Sequence, residues 1–349
     1  MAALTLWTPP LLPTLDAELG AELRRTVDGK AKPPGALGRL EDLAVQMGAV
    51  QGRRDPRADD AVVLLFAGDH GLTAEGVSSY PSAVTTAMVQ LILDGRASVN
   101  ALAKAAGARI EVIDVGVASQ LAPRAGLVCA KVRAGTANAA REPAMSKQEC
   151  AAALDVGAAA VDRAVAAGAD LIALGEMGIG NSAAASLLLH RLGPAPLDEA
   201  IGAGAGHDCA GLARKTRALE TAARRCDATE PFEVLRQFGG LEIAAMAGAA
   251  LAAAQARRVV VVDGFIASAA ALVALRMRPE LRDFCVFAHA SAERGHALML
   301  QRMEAAALLH LGMRLGEGTG AVLAFPILRA AANMLNEVAS LAEVLESAT

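Results

Sequence analysis

Aromatic side chains are scarce in this chain: one tryptophan, one tyrosine and seven phenylalanines in 349 residues. A protein that stacks the bases of single-stranded nucleic acid needs exposed rings. A duplex binder needs a basic stripe. With 33 Lys and Arg against 37 Asp and Glu, net −4, the chain offers neither, so no nucleic acid is expected as a partner. Cysteine is also sparse: Cys129, Cys150, Cys209, Cys226 and Cys285, with no CxxC pair. Scattered thiols in odd number read as reduced, in a reducing compartment. The opening MAALTLWTPPLLPTLDAEL has no basic leader and is broken by prolines and Asp16, so no signal peptide is expected. The alanine-rich stretch 243–254 is too short to span a membrane. A cytoplasmic protein without a membrane segment is the expectation. GxGxxG, the P-loop, GxSxG and HExxH are all missing, and no cofactor or metal is expected.

What the chain does have is small apolar residues: 54% are hydrophobic, mostly alanine, valine and leucine. Short runs are apolar on consecutive positions, as in strands buried on both faces. These are AVVLLFAG (61–68), RIEVIDVG (109–116), ADLIALG (169–175), RVVVVDGF (258–265) and DFCVFAHA (283–290). Segments of helical period lie between them, at 84–95, 151–168 and 241–256. Strand and helix in alternation predict an α/β fold: a Rossmann-like parallel sheet with helices on both faces. The two ends, roughly 14–27 and 299–349, read as helices alone. This predicts an α/β domain at 30–298 and a small helical domain built from 1–29 and 299–349.

Each strand runs into a polar or glycine-rich turn: Asp69-His70-Gly71, Asp114-Val115-Gly116, Gly175-Glu176-Met177-Gly178, Asp263-Gly264-Phe265 and His289-Ala290-Ser291. In an open parallel sheet the carboxyl ends of the strands share an edge, where ligands bind. All five turns are expected at one crevice. GEMGIGNS (175–182) precedes an apolar helix that Asn181 or Ser182 can cap, and amides at a helix N-terminus suit a phosphate. A carboxylate would repel that phosphate, so Glu176 is placed against ribose hydroxyls or another neutral donor. GAGAGHDCAGLARK (202–215) is a second glycine-rich loop, leading to Arg214 and Lys215. It reads equally as a phosphate cradle or a surface loop. In HASAERGH (289–296), His289, Glu293 and His296 stand within two turns, but not at zinc spacing, and are expected to bond to one another or shape a pocket. KPPGALGRLEDLA (32–44) reads as a helix start or as a lid. LGEGTGAVLAFP (315–326) holds one ionisable group, Glu317, between Gly316 and Gly318 ahead of an apolar helix. An acid there supports the helix by ~0.3–1 kcal/mol; it can also serve as a lone base.

KPPGALGRLE, AGDHGLTAEGVSSYP, EPAMS (142–146), GEMGIGNS, FAHASAERGH and LGMRLGEGTGA occur in this order. Together they resemble the nicotinate-nucleotide–dimethylbenzimidazole phosphoribosyltransferase family, from about residue 30 to the C-terminus. The resemblance implies a homodimeric enzyme that moves the phosphoribosyl group of nicotinate mononucleotide to dimethylbenzimidazole. The products would be nicotinate and α-ribazole phosphate, for the lower ligand of cobalamin. It further implies that Glu317 is the catalytic base. Glu176, Met177, Gly178, Ile179, Gly180, Asn181, Gly204 and Lys215 would bind the nucleotide. Ser79, Tyr80, Pro81, Met88 and Leu315 would bind the base. Three departures bear on these roles. Ser182 and Ala183 follow Asn181 where the family has two threonines. Residues 202–206 read GAGAG where the family has GRGTG. Ala87 stands near Met88, where the family often has glutamine; this leaves another base acceptor, such as adenine or a phenolic compound, as the alternative.

Overall fold

A computed structural model describes residues 7–202, 204, 206 and 208–347. The chain opens with helices α1 (Ala17–Asp28) and α2 (Arg39–Gln51). Strand β1 (Ala61–Gly68), a 3-10 turn at Gly71–Glu75, helices α3 (Ala83–Leu93) and α4 (Ser98–Ala106), and strands β2 (Arg109–Gly116) and β3 (Leu127–Cys129) follow. Helix α5 (Lys147–Ala166) leads to β4 (Leu171–Met177). Five helices, α6 (Asn181–Leu192), α7 (Leu197–Ala200), α8 (Cys209–Arg225), α9 (Pro231–Phe238) and α10 (Leu241–Gln255), precede β5 (Val259–Val262). Then come α11 (Phe265–Met277), a 3-10 turn at Pro279–Phe284, β6 (Cys285–Phe287), α12 (Arg294–Arg302), α13 (Thr319–Glu337) and α14 (Leu341–Ser347).

The sheet order is β3-β2-β1-β4-β5-β6, and every pairing is parallel. The expected Rossmann-like α/β fold is therefore present, with the order reversing between β1 and β4. Both faces of the central strands are covered, so β1 and β5 are buried at every residue. Strand β4 ends two residues beyond its apolar run. Pairing with Phe66 and Ala67 draws Glu176 and Met177 into the ladder.

Small side chains let the helices come close. Helices α5 and α10 approach until a Cβ on Gly157 would strike the Ala245 carbonyl, and one on Gly248 the carbonyl of Leu154. All of α10 except Gln255 is buried, including its one charged residue, Glu242. Helix starts follow local chemistry. Asp16 accepts from the Glu18 and Leu19 amides at the head of α1. Ser146 and Glu149 exchange bonds in a capping box on α5.

Two sequence expectations differ from the structure. Strand β3 is not among the expected strands, because its apolar run is short; it is a three-residue edge strand, only partly covered. The sequence also predicts helix throughout the C-terminal end, yet residues 303–318 contain no regular helix. Glu304, Gly312, Gly316, Glu317 and Gly318 all have positive φ, which a helix cannot contain. The segment is held instead along β6, where Leu308 and Leu309 amides donate to Phe287 and Ala288. The two ends of the chain meet: the Leu341 amide donates to Gly29, and the Ala31 amide to Ala339.

Candidate active site

A cleft opens at the carboxyl ends of β4, β5 and β6, next to the point where strand order reverses. Glu176, Met177, Gly178, Ile179, Gly180, Asn181, Gly204 and Leu315 line it, together with Asp263, His289, Glu293, Arg314 and Ser182. Of the sequence-predicted nucleotide residues only Lys215 is missing from these walls. It lies just beneath them, fully buried, and its Nζ donates to Ser182 Oγ and Gly202 O, both at 3.0 Å.

The start of α6 is bare. Gly180 (φ +95°) turns the chain into the helix, and no side chain caps it, contrary to the expectation for Asn181 or Ser182. Each has another partner: the Asn181 amide group donates to the Glu176 carboxyl, and Ser182 Oγ accepts from Lys215. The helix N-terminus is thus left for an anion, with an ammonium beside it. Thr85 of α3 steadies the loop by accepting from the Ile179 amide at 3.1 Å. In the loop at 202–206, Ala203 and Ala205 lie outside the described residues.

The five strand-end turns do not all converge. Glu176, Asp263 and His289 reach the cleft, but Asp114, at the end of β2 on the far side of β1, instead accepts from the Val117 amide at 2.9 Å. Asp69 and His70 are buried behind the wall. His70 Nε2 lies 2.6 Å from Glu242 Oε1, a pairing across 172 residues that sequence reasoning missed. Burial opposes the His70 charge, yet the adjacent Glu242 carboxylate outweighs it and raises the pKa. A lone acid within the apolar run of α10 was the signal available for it.

Carboxyl groups dominate the floor. Burial lifts Glu176 to about 8, with the charges of Glu242 and Asp263 adding to the shift, so it is a neutral acid at pH 7. Burial also lifts Asp263 to about 7, against the pull of backbone amides. Lys215 is lowered to about 8 by burial. His296 is driven to about 3 by burial; its Nδ1 accepts from the Ser291 amide at 2.7 Å, so Nε2 carries the proton and donates to Ser268 Oγ at 2.9 Å.

The GEGTG loop is shaped by its neighbours. A Cβ on Gly316 would collide with the Glu176 carboxyl, one on Gly318 with Val63, and one on Gly320 with the His289 ring. Between them Glu317 takes φ +62°, a left-handed conformation costing about 1–2 kcal/mol for a residue with a Cβ. Asp263 accepts from the Ala321 amide at 2.9 Å and the Gly318 amide at 3.2 Å, closing the start of α13. The Glu317 carboxyl is buried, and burial raises its pKa. It does not wall the cleft lined by Leu315 and Gly316; Oε2 rests 3.4 Å from the Val99 amide in the first turn of α4. Tyr80 and Leu315 are about half exposed, at 51% and 54%. Of the expected base-binding residues Leu315 alone lines the cleft; Ser79, Tyr80, Pro81 and Met88 lie outside its walls, although Val77 and Ser78 line it. Lys32 and Glu41 form a 2.8 Å ion pair, and Glu41 also accepts from the Gly35 and Leu37 amides, so the KPPGALGR segment is tied to α2.

A phosphoribosyltransferase family model matches residues 12–344. The nicotinate-nucleotide–dimethylbenzimidazole phosphoribosyltransferase of Cupriavidus taiwanensis is 49% identical over 332 residues, covering 95% of this chain and 96% of its own. The Pseudomonas aeruginosa PAO1 protein of the same name is 45% identical over 337 residues, 95% of each chain. A crystal structure of the enzyme of that name from Thermus thermophilus superposes with a TM-score of 0.90 at 44% identity, covering 95% of this chain and 98% of that one.

Proposed function

This chain belongs to the nicotinate-nucleotide–dimethylbenzimidazole phosphoribosyltransferase family, and from that premise we propose that Glu317 is the base that activates the incoming azole. The reaction moves the phosphoribosyl group of nicotinate mononucleotide to dimethylbenzimidazole. One ring nitrogen of the azole attacks the anomeric carbon while the bond from that carbon to the pyridinium nitrogen breaks. Its electron pair stays on the departing ring and discharges it, so nicotinate needs no general acid; a glycoside hydrolase, by contrast, needs two carboxyls. The proton on the other azole nitrogen becomes acidic as the ring turns cationic, and one carboxylate takes it. The same charge stabilises the oxocarbenium character of the sugar. Attack opposite the leaving group turns a β-linkage into the α-linkage of α-ribazole phosphate, the precursor of the lower ligand of cobalamin.

The nucleotide phosphate lies at the uncapped start of α6, above the Lys215 ammonium. Glu176, neutral and held by Asn181, donates to a ribose hydroxyl. The azole enters beside Tyr80, Pro81, Met88 and Leu315, with Ser79 at the rim, and displaces the long contact between Glu317 and the Val99 amide. The observation that carries the reading is Glu317 itself: a buried carboxyl held in a left-handed turn adjoining the cleft wall. The terminal helices α1, α13 and α14 act as a small helical domain beside the sheet, supported by the bonds joining the two ends of the chain. A homodimer in the cytoplasm completes the picture. The exposed Leu341, Val344 and Leu345 of α14 support self-association, and five free cysteines support a reducing compartment.

The test is to mix the purified chain with nicotinate mononucleotide and a panel of bases. Nicotinate and α-ribazole phosphate should appear together, and only when an azole is present. Release without a base would indicate a hydrolase. Nucleotide binding with no release would indicate a binding module.

A further inference from the structure

Glu317 occupies a conformation that its own backbone does not favour, and something must hold it there. Its neighbours Gly316, at φ +90°, and Gly318, at φ +82°, are left-handed as well. Three consecutive residues of this kind make a loop with little local preference for one shape. Thr319 closes one side locally, its Oγ1 donating to Gly316 O at 2.8 Å. The long-range restraint comes from the end of β5. Asp263 is 2% exposed and spreads its two oxygens across the loop–helix junction, Oδ2 on the Gly318 amide and Oδ1 on the Ala321 amide. One carboxylate thereby fixes the residue after Glu317 and the first turn of the helix that carries the loop.

We infer that Asp263 is the positioning residue for Glu317, holding the base in place by capping α13 from the neighbouring strand. The inference rests on the reading of Glu317 as the base. Asp263 has no need to touch the azole; its part is to stop the loop sampling shapes in which the carboxyl misses the incoming ring. A misplacement of about 1 Å in a catalytic group can cost on the order of a hundredfold. The titratable groups facing Asp263 are Glu317 from the loop it caps, Glu176 from β4 and the His289 ring, whose Nε2 lies 3.7 Å from Oδ1. Burial lowers the pKa of His289, so that ring is neutral and does not neutralise Asp263.

The experiment compares Asp263→Asn with Glu317→Gln in the full-length enzyme. Asparagine keeps the size but turns an NH2 group toward a backbone donor. Calorimetric titration with nicotinate mononucleotide counts the folded sites, and turnover is expressed per site. For Asp263→Asn, one nucleotide per chain, a nucleotide KM within threefold of the parent and a 10- to 100-fold lower kcat are expected. The KM for dimethylbenzimidazole should rise more than that for the nucleotide. A fold defect alone would lower the number of sites and leave turnover per site unchanged. If Asp263→Asn does not fold, Asp263→Ser, which keeps an oxygen acceptor at the cap, is measured in the same way. Turnover per site within twofold of the parent in the folded variant, with Glu317→Gln inactive, overturns this inference alone. Parent-like turnover in Glu317→Gln removes the base assignment on which it rests.

Discussion

The seam between α5 and α10 and the floor of the cleft are both buried, and both depend on glycine, but they use it in opposite ways. At the seam Gly157 and Gly248 let two backbones touch, and nearly everything around them is alanine, leucine or valine. Each residue there adds apolar burial, worth roughly 25 cal/mol per Å², and nothing needs a partner. On the floor the glycines at 316, 318 and 320 make room for Glu176, Val63 and His289. There the buried groups are acids: Glu176, Asp263 and Glu317 all have raised pKa values because burial disfavours their charge. One carboxyl oxygen of Glu242 finds no donor among the described residues. The seam holds the fold together; the floor is carried at a cost, and the cost concentrates at the site proposed for phosphoribosyl transfer.

The sharpest way to break the comparison is at the seam. Gly248→Val places a branched side chain against the Leu154 carbonyl and should lower stability by about 3 kcal/mol or more. Urea denaturation measures it, and an effect under about 1 kcal/mol would mean that the seam tolerates side chains as a surface does. Next in size is the effect at Lys215, proposed to lie beneath the phosphate. Lys215→Met keeps the volume but removes the ammonium, and charged hydrogen bonds of this kind contribute about 1.5–3 kcal/mol. The KM for nicotinate mononucleotide should rise about tenfold to a hundredfold, with the KM for the base nearly unchanged. In the parent enzyme the same KM should climb as pH rises past about 8, where Lys215 loses its proton, and the variant should show no such climb.

The last effect is a gain. The Glu176 pKa is raised from an ordinary value of 4.5 to about 8 in the fold. Between those values the folded state binds more protons than the unfolded one, so stability falls as pH rises through that window. Glu176→Gln removes the liability. It should raise Tm by about 3–6 °C at pH 8 and by less at pH 5, while turnover drops. A lower Tm at pH 8 would show that Glu176 stabilises the floor.

Most of the seam was legible in the sequence, and less of the floor was. Consecutive apolar residues located β1 to the residue, because burial on both faces leaves no other pattern; β2 also has the expected bounds, although charged residues interrupt its run and its first three residues are exposed or half-buried. Strand β3 escaped because its run of three apolar residues at the sheet edge is too short to stand out. The stretch 303–318 reads as helix because its leucines and alanines suit one; its actual course depends on pairing to β6, a strand well before it in the chain. On the floor, the order of motifs indicated which loops would meet, and every expected nucleotide residue except Lys215 lines one cleft. The pairings could not be read: His70 with Glu242, Lys215 with Ser182, and Asp263 with the amides of α13 are all contacts between distant segments. Asn181 and Ser182 look like caps because local chemistry favours them there, but Glu176 at the end of β4 takes one side chain and the distant Lys215 the other.

The central claim is that a single buried carboxyl removes the azole proton. Its most direct test is the rate of nicotinate release by Glu317→Gln at saturating nicotinate mononucleotide and dimethylbenzimidazole, counted per bound nucleotide. The amide keeps the shape and cannot accept the proton, so release should fall at least about a hundredfold with nucleotide affinity intact. Release at the parent's rate would contradict the account.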